Sequence, residues 1–176
     1  AKQFPRNQIQ AADRIINACT RQTLADSAVY SYPRGGQSVE GPSIRLAEVL
    51  AHNWGNLDFG IRELSQENGV STVEAYAWDL ETNVRQAKVF QVVHKRVSKG
   101  GAKTLTDPRD IYEMVANQGS RRLRACILSV IPGDIVEAAL AQCSITQAVS
   151  VGTKPEEVKE TIRKLTEAMG KFGITP

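Results

Sequence analysis

Apolar positions recur at two periods along this chain, and the change from one to the other divides it. From Asn7 to Thr23, Ile9, Ala12, Ile16 and Cys19 stand at helical spacing and predict an amphipathic helix. Val29-Tyr30-Ser31-Tyr32 is a short β-prone run, and Pro33-Arg34-Gly35-Gly36-Gln37-Ser38 reads as a loop because of its two glycines. Gly41-Pro42 is expected to open a second helix, since proline at the first helical position lacks only an N–H that has no intrahelical partner there. Leu46, Ala47, Leu50 and Trp54 give that helix its stripe, and Gly55 ends it.

The period then becomes two. Leu57, Phe59 and Ile61 alternate with Asp58, Gly60 and Arg62, as in a half-buried strand. Asn68-Gly69 is a strong hairpin signal, and Val70 to Leu80 follows as a β-branched and aromatic run. Glu81-Thr82-Asn83 is a second turn, after which Val84 to Val97 predicts a third strand with Val89, Val93 and Val97 on one face. Ser98 to Thr106 reads as a loop. Asp107-Pro108 carries the signature of a helix start, and the helix from Arg109 to about Val130 has its stripe at Tyr112, Val115, Ala116, Gly119, Leu123, Cys126 and Ile127. At 100° per residue Arg121 and Arg124 lie roughly opposite this stripe and Arg122 flanks it. Pro132-Gly133 breaks the helix, and Asp134 caps a shorter one to about Cys143. A polar stretch leads to a final helix over 155–169, with Val158, Ile162, Leu165 and Met169 on one face.

The order is helix, three strands, helix, with helical flanks. It predicts an α+β fold: a three-stranded antiparallel β-meander packed by helices, with N- and C-terminal helices. Residues 1–145 are expected to form the core, and 146–176 a linker and helix.

Composition is that of an ordinary globular chain, 41% apolar and 23% charged over 176 residues. No apolar run approaches a membrane span, and AKQFPRNQIQ lacks the apolar core of a signal peptide. The start at Ala1 without a Met suggests a leader or tag ahead of it, and the end at Ile174-Thr175-Pro176 a longer native chain. Cys19, Cys126 and Cys143 are an odd, scattered set that fits a reducing compartment better than a disulfide framework or a zinc site. His52 and His94 have no ligand spacing around them.

Charge changes the picture more. Asn83 to Arg124 holds ten Lys or Arg against three acids, whereas Asp58 to Glu81 holds six acids and one Arg. A basic block of this kind suits a polyanion as well as a solvated face. Lys88, Lys95 and Arg96 lie on the third strand, Lys99 and Lys103 in the next loop, and Arg121, Arg122 and Arg124 on the following helix. A strand end, a loop and a helix can converge on one groove that tracks phosphates without reading bases. Arg34 can close its other wall, Gly35 and Gly36 would let backbone approach the nucleic acid closely, and Gln37 beside them joins the candidate DNA contacts. Tyr30, Tyr32, Trp54 and Trp78 are the stacking candidates, provided that they are exposed. Catalytic patterns are weak: no nucleophile elbow and no plausible Cys–His pair appears. Gly100-Gly101-Ala102-Lys103-Thr104 interrupts the phosphate-loop pattern at Ala102. Asp58, Glu63, Glu74, Asp79 and Glu81 could hold Mg²⁺ for a nuclease, but Glu74 and Asp79 fall on opposite faces of a strand.

The Pro33-Arg34-Gly35-Gly36-Gln37-Ser38-Val39-Glu40-Gly41 run, the helix ending Asn53-Trp54-Gly55-Asn56, the meander and the Gly119-Ser120-Arg121-Arg122-Leu123-Arg124 helix come in a familiar order. It resembles that of the single-strand annealing proteins, namely the eukaryotic Rad-fifty-two mediator and the phage RecT, Red-beta and Erf recombinases. The likeness spans roughly Ser27 to Ile131 and is distributed rather than carried by one motif. It implies a β-β-β-α core that assembles into homo-oligomeric rings or filaments. Such proteins hold single-stranded DNA in a basic groove with its bases exposed, and anneal a second strand without ATP or any other cofactor. By position, Arg34 resembles the groove residue of the glycine loop and Arg121 with Arg122 the basic pair of the helix, while Arg124 falls near the third basic position. The acidic meander departs from the pattern and could instead meet a neighbouring subunit's basic surface. The resemblance further implies a non-enzymatic, cytoplasmic protein of a bacterial or phage-infected cell, acting in recombination beside an exonuclease or a single-strand-binding protein and away from membranes. A Mg²⁺-dependent nuclease, a non-annealing scaffold and an RNA-binding module remain as competing readings.

Overall fold

The computed structural model describes residues 1, 3–98, 101–153, 159–160, 162–164 and 166, with Arg34, Ser98 and residues 151–153 described by their backbone alone. Helix α1, Gln8–Cys19, starts where the Asn7 side chain accepts the Gln10 N–H. Its inward face is Ala11, Ile15, Ala18 and Cys19, whereas Ile9 is 76% exposed. The expected face (Ile9, Ala12, Ile16, Cys19) is therefore turned by one row. Two apolar rows lie side by side on this helix, and the one through Ala11, Ile15 and Cys19 is packed into the core.

After the single turn of α2, Gln22–Ala25, two strands form a hairpin: β1, Val29–Arg34, and β2, Gln37–Pro42. Gly35 and Gly36, with φ of 59° and 82°, make the two-residue turn, a conformation that side chains other than glycine rarely adopt. The expected loop at 33–38 is thus mostly strand. Gly41-Pro42 ends β2 instead of opening a helix. Ser43 is the N-cap, accepting the Leu46 N–H, and α3 runs Ile44–Trp54. A serine hydroxyl satisfies a helix-start N–H, which proline cannot do. Leu46, Ala47, Leu50 and Trp54 are buried as expected, and Gly55 terminates the helix at φ 77°.

Strands β3, Leu57–Glu67, β4, Val70–Asp79, and β5, Arg85–Val93, form an antiparallel sheet in that order, with Asn68-Gly69 as the first turn. A bulge between Glu63 and Ser65 marks the β3 edge. Val73, Ala75 and Ala77 face the helices from the central strand, and Phe90 and Val92 join them from β5. Val89 and Val93 do share one face of β5, but that face is exposed, and Val97 falls beyond the strand and is exposed as well. Pairing of Val73 with Phe90 sets the even-numbered positions of β5 inward, and register decides the face of every residue in a strand. The third strand also stops earlier than expected. His94, buried with its Nε2 2.8 Å from Ser71 Oγ, diverts the chain into a separate hairpin of β6, Lys95–Ser98, and β7, Gly101–Thr104.

Helix α4, Pro108–Val130, is capped by Asp107 and crosses the sheet with Val115, Gly119, Leu123, Cys126 and Ile127 inward. Gly119 leaves room for the Ile61 side chain of β3, because a Cβ there would lie 2.6 Å from Ile61 Cδ1. Tyr112, expected in the stripe, is 69% exposed; near the start of α4 the inward residues are Ile111, Met114 and Val115. Helix α5, Gly133–Thr153, is longer than expected and runs through the stretch read as a polar linker. Polar side chains in that stretch hold it to the body: Thr146 Oγ1 donates to Cys19 O and Gln147 Nε2 to Ala25 O. The expected final helix lies largely outside the described residues.

The fold is mixed α and β with antiparallel sheets, and α1, α3, α4 and α5 share one core with the inner sheet face. Among the described residues no helix is long and apolar enough to cross a membrane. At the far end of the core, the Arg6 side chain donates to Trp54 O, Gly55 O and Asp79 Oδ2, at 2.9, 2.8 and 3.0 Å, and lies 4.6 Å from the Trp54 ring centroid. This joins the N-terminal segment, the end of α3 and the end of β4.

Candidate nucleic-acid interface

Alternation along β1 puts Tyr30 and Tyr32 on one face of the first hairpin and Ser31 on the other. Three residues of helix bring Arg121 and Arg124 to one side of α4, facing that hairpin. Between them lies a cleft of about 450 Å³ lined by Tyr30, Ser31, Tyr32, Arg121 and Arg124. The Arg124 guanidinium sits 4.2 Å from the Tyr30 ring centroid, and the Tyr30 and Tyr32 rings lie 5.9 Å apart at 20°. No carboxylate is among the lining residues. Glu40, the acid of the hairpin, pairs across from Ser31, on the face away from the tyrosines. Gly41 stands opposite Tyr30, and a Cβ there would lie 2.8 Å from Tyr30 Oη, so the glycine makes room for the ring.

The other residues expected in a groove are distributed more widely. Arg34 closes the last pair of the hairpin opposite Gln37, which is exposed, and Gly35 forms the turn. Arg122 turns to the other flank of α4, where its guanidinium lies 4.4 Å from the Phe90 ring centroid and Nη1 donates to Gln118 O. Lys88 is exposed on the helix-covered side of the sheet edge, opposite Ala75. Burial pushes the nearby Cys126 thiol up, an effect that the Lys88 and Arg85 charges oppose. Lys95, Arg96 and Lys103 are exposed on the second hairpin, with Arg96 opposite Lys103, and do not line the cleft. Lys99 lies outside the described residues. The structure therefore groups Arg121 with Arg124, not with Arg122. It brings to them two of the four expected stacking candidates, Tyr30 and Tyr32, as the other wall of the cleft.

Of the remaining stacking candidates, Trp54 is buried beneath Arg6 and Trp78 donates its Nε1 to Asn83 Oδ1. Most acids of the sheet have cationic or hydrogen-bonding partners. Asp79 pairs with Arg6 and Glu74 with Arg85, while Tyr76 Oη donates to Asp58 and Glu81 accepts from the Arg6 N–H and Asn56. Among the described residues no group of three His, Cys, Asp or Glu side chains is placed to hold a metal ion. No family model, curated protein or solved structure matches the chain.

Proposed function

We propose that this chain binds single-stranded DNA in the cleft between the β1–β2 hairpin and α4, and promotes ATP-independent annealing of complementary strands as a homo-oligomer. The observation that carries the reading is the cleft wall itself: two arginines facing two tyrosines, with no carboxylate lining it. Cations in such a cleft neutralise phosphates and release counterions, and aromatic rings accept unpaired bases. A cleft of about 450 Å³ holds only a short stretch of strand, so a longer strand needs several copies side by side, in a ring or a filament. Bases left outside would then be displayed in order, and a second strand would pair with part of the ordering entropy already spent. The resemblance to single-strand annealing proteins in element order points the same way. Recombination, with an exonuclease or single-strand-binding protein as partner, is the setting that this resemblance suggests.

Replacing Arg121 and Arg124 together by Ala tests the site. Affinity for an unstructured DNA strand should fall at every sequence, and the slope of log affinity against log salt should flatten by about 1.4, at ~0.7 for each phosphate no longer neutralised. Unchanged affinity and slope would remove the cleft from the account.

A further inference from the structure

Resting on the nucleic-acid reading of the cleft, we propose that Tyr32 is a base-stacking seat. It takes one unpaired nucleobase per subunit and gives the cleft its preference for single strands over duplex.

The tyrosine pair is asymmetric. Tyr30 is half-buried, seated against Gly41 and covered by the Arg124 guanidinium at 4.2 Å. Tyr32 lies nearly parallel to it, at 20° and 5.9 Å, and is 44% exposed. Arg124, Tyr30 and Tyr32 thus form a row of planar groups whose open member is Tyr32. The row is anchored at its half-buried end, and an open ring oriented before any ligand arrives lowers the ordering cost of binding. Two other aromatics with large exposure, Phe4 and Tyr112, do not line the cleft. Arg121 is exposed and lines the same cleft, and in this proposal it meets a phosphate of the nucleotide whose base continues the row.

The chemistry recognised follows from this arrangement. Every base has a π-face, so the seat is sequence-tolerant. A base inside a duplex already has both faces covered by its neighbours and must leave the stack to reach Tyr32. The arginines attract either form of nucleic acid, whereas the tyrosine rewards only the unpaired one.

The experiment compares wild type with Tyr32→Phe, Tyr32→Leu and Tyr32→Ala on two probes: oligothymidylate, and inorganic polyphosphate, which has the phosphates without bases. Leu and Ala should weaken oligothymidylate binding roughly 5- to 140-fold, the loss of one stacked base, while Phe stays near wild type. Binding of polyphosphate should be the same for all four proteins. Equal losses on both probes, retention of oligothymidylate binding by Leu, or no loss with Ala would each overturn the proposal. If wild type binds oligothymidylate but the Arg121→Ala/Arg124→Ala protein binds it equally well, the cleft itself is wrong. If the arginine variant weakens and the Tyr32 variants do not, only the stacking seat fails.

Discussion

Removing the Arg6 side chain should cost this protein more stability than any single change in the cleft. Arg6 and Asp79 form an ion pair at 3.0 Å whose side chains are each only 3% exposed. In Arg6→Ala the Asp79 carboxylate stays buried without its cation, and Trp54 O and Gly55 O lose their side-chain donor. Breaking one side of a buried pair costs about 3–5 kcal/mol. For a chain of this size each kcal/mol lowers the melting temperature by about 2–4 °C, so the drop should be roughly 6–20 °C. Thermal melts followed by circular dichroism read it directly. Much of the loss arises from the stranded charge rather than from the pair, so Arg6→Met with Asp79→Asn should be less destabilised than Arg6→Ala alone. A drop in Arg6→Ala of under about 3 °C would refute the reasoning, since it would mean that the carboxylate finds water or another partner. Below its melting point the single variant should bind DNA as wild type does, because Arg6 does not line the cleft.

The same carboxylate predicts acid behaviour. Burial pushes the Asp79 carboxyl up, but hydrogen bonds from Arg6 and from the Glu81 and Thr82 N–H groups, with the Arg6 charge, hold it below its usual range. Glu81 is also held low, first by its hydrogen bond from Asn56. A depressed folded value means that this stabilisation is complete above the usual carboxylate range of about 4 and is lost as pH falls through the lower folded values. Melting temperature should therefore fall on acidification below about pH 4, and less steeply in Asp79→Asn; identical acid slopes would contradict the assignment. Gly119→Ala should destabilise, because its Cβ would lie 2.6 Å from Ile61 Cδ1 and 3.2 Å from Cγ1 and Cγ2. Overpacking of about 1–3 kcal/mol should outweigh a helix-propensity gain of about 1 kcal/mol, and Ile61→Val should recover part of the loss in urea melts; a stabilised Gly119→Ala would argue against this close crossing.

Local signals with one physical meaning translated directly into structure. Asn68-Gly69, Gly55 and Asp107-Pro108 each satisfy a backbone requirement that few residues meet, and each became the turn, stop or start expected. Face assignments were legible only where one row of apolar residues dominates, as in α3. In α1 two adjacent rows compete, and in β5 the inward face depends on pairing with β4, which period alone does not show. The β1–β2 hairpin was obscured because Gly41-Pro42 suits either a helix start or a strand end, and Ser43 decides between them through its side-chain oxygen. The candidate site was legible as a charge block, but not as a place. Arg121, Arg122 and Arg124 are close in sequence, yet 100° per residue sends Arg122 to Phe90 and the other two to the tyrosines. Lys95, Arg96 and Lys103 followed the chain onto a separate hairpin once His94 diverted it.

Strand pairing tests the central claim most directly. Two complementary oligonucleotides with a fluorophore pair would be mixed with the protein without ATP, and pairing followed over a salt series for wild type and the Arg121→Ala/Arg124→Ala protein. The account predicts pairing well above the spontaneous rate, stoichiometric in protein, lost at high salt and lost in the variant. Tight binding by wild type with no gain in pairing rate would contradict it and leave a protein that stores or shields single strands.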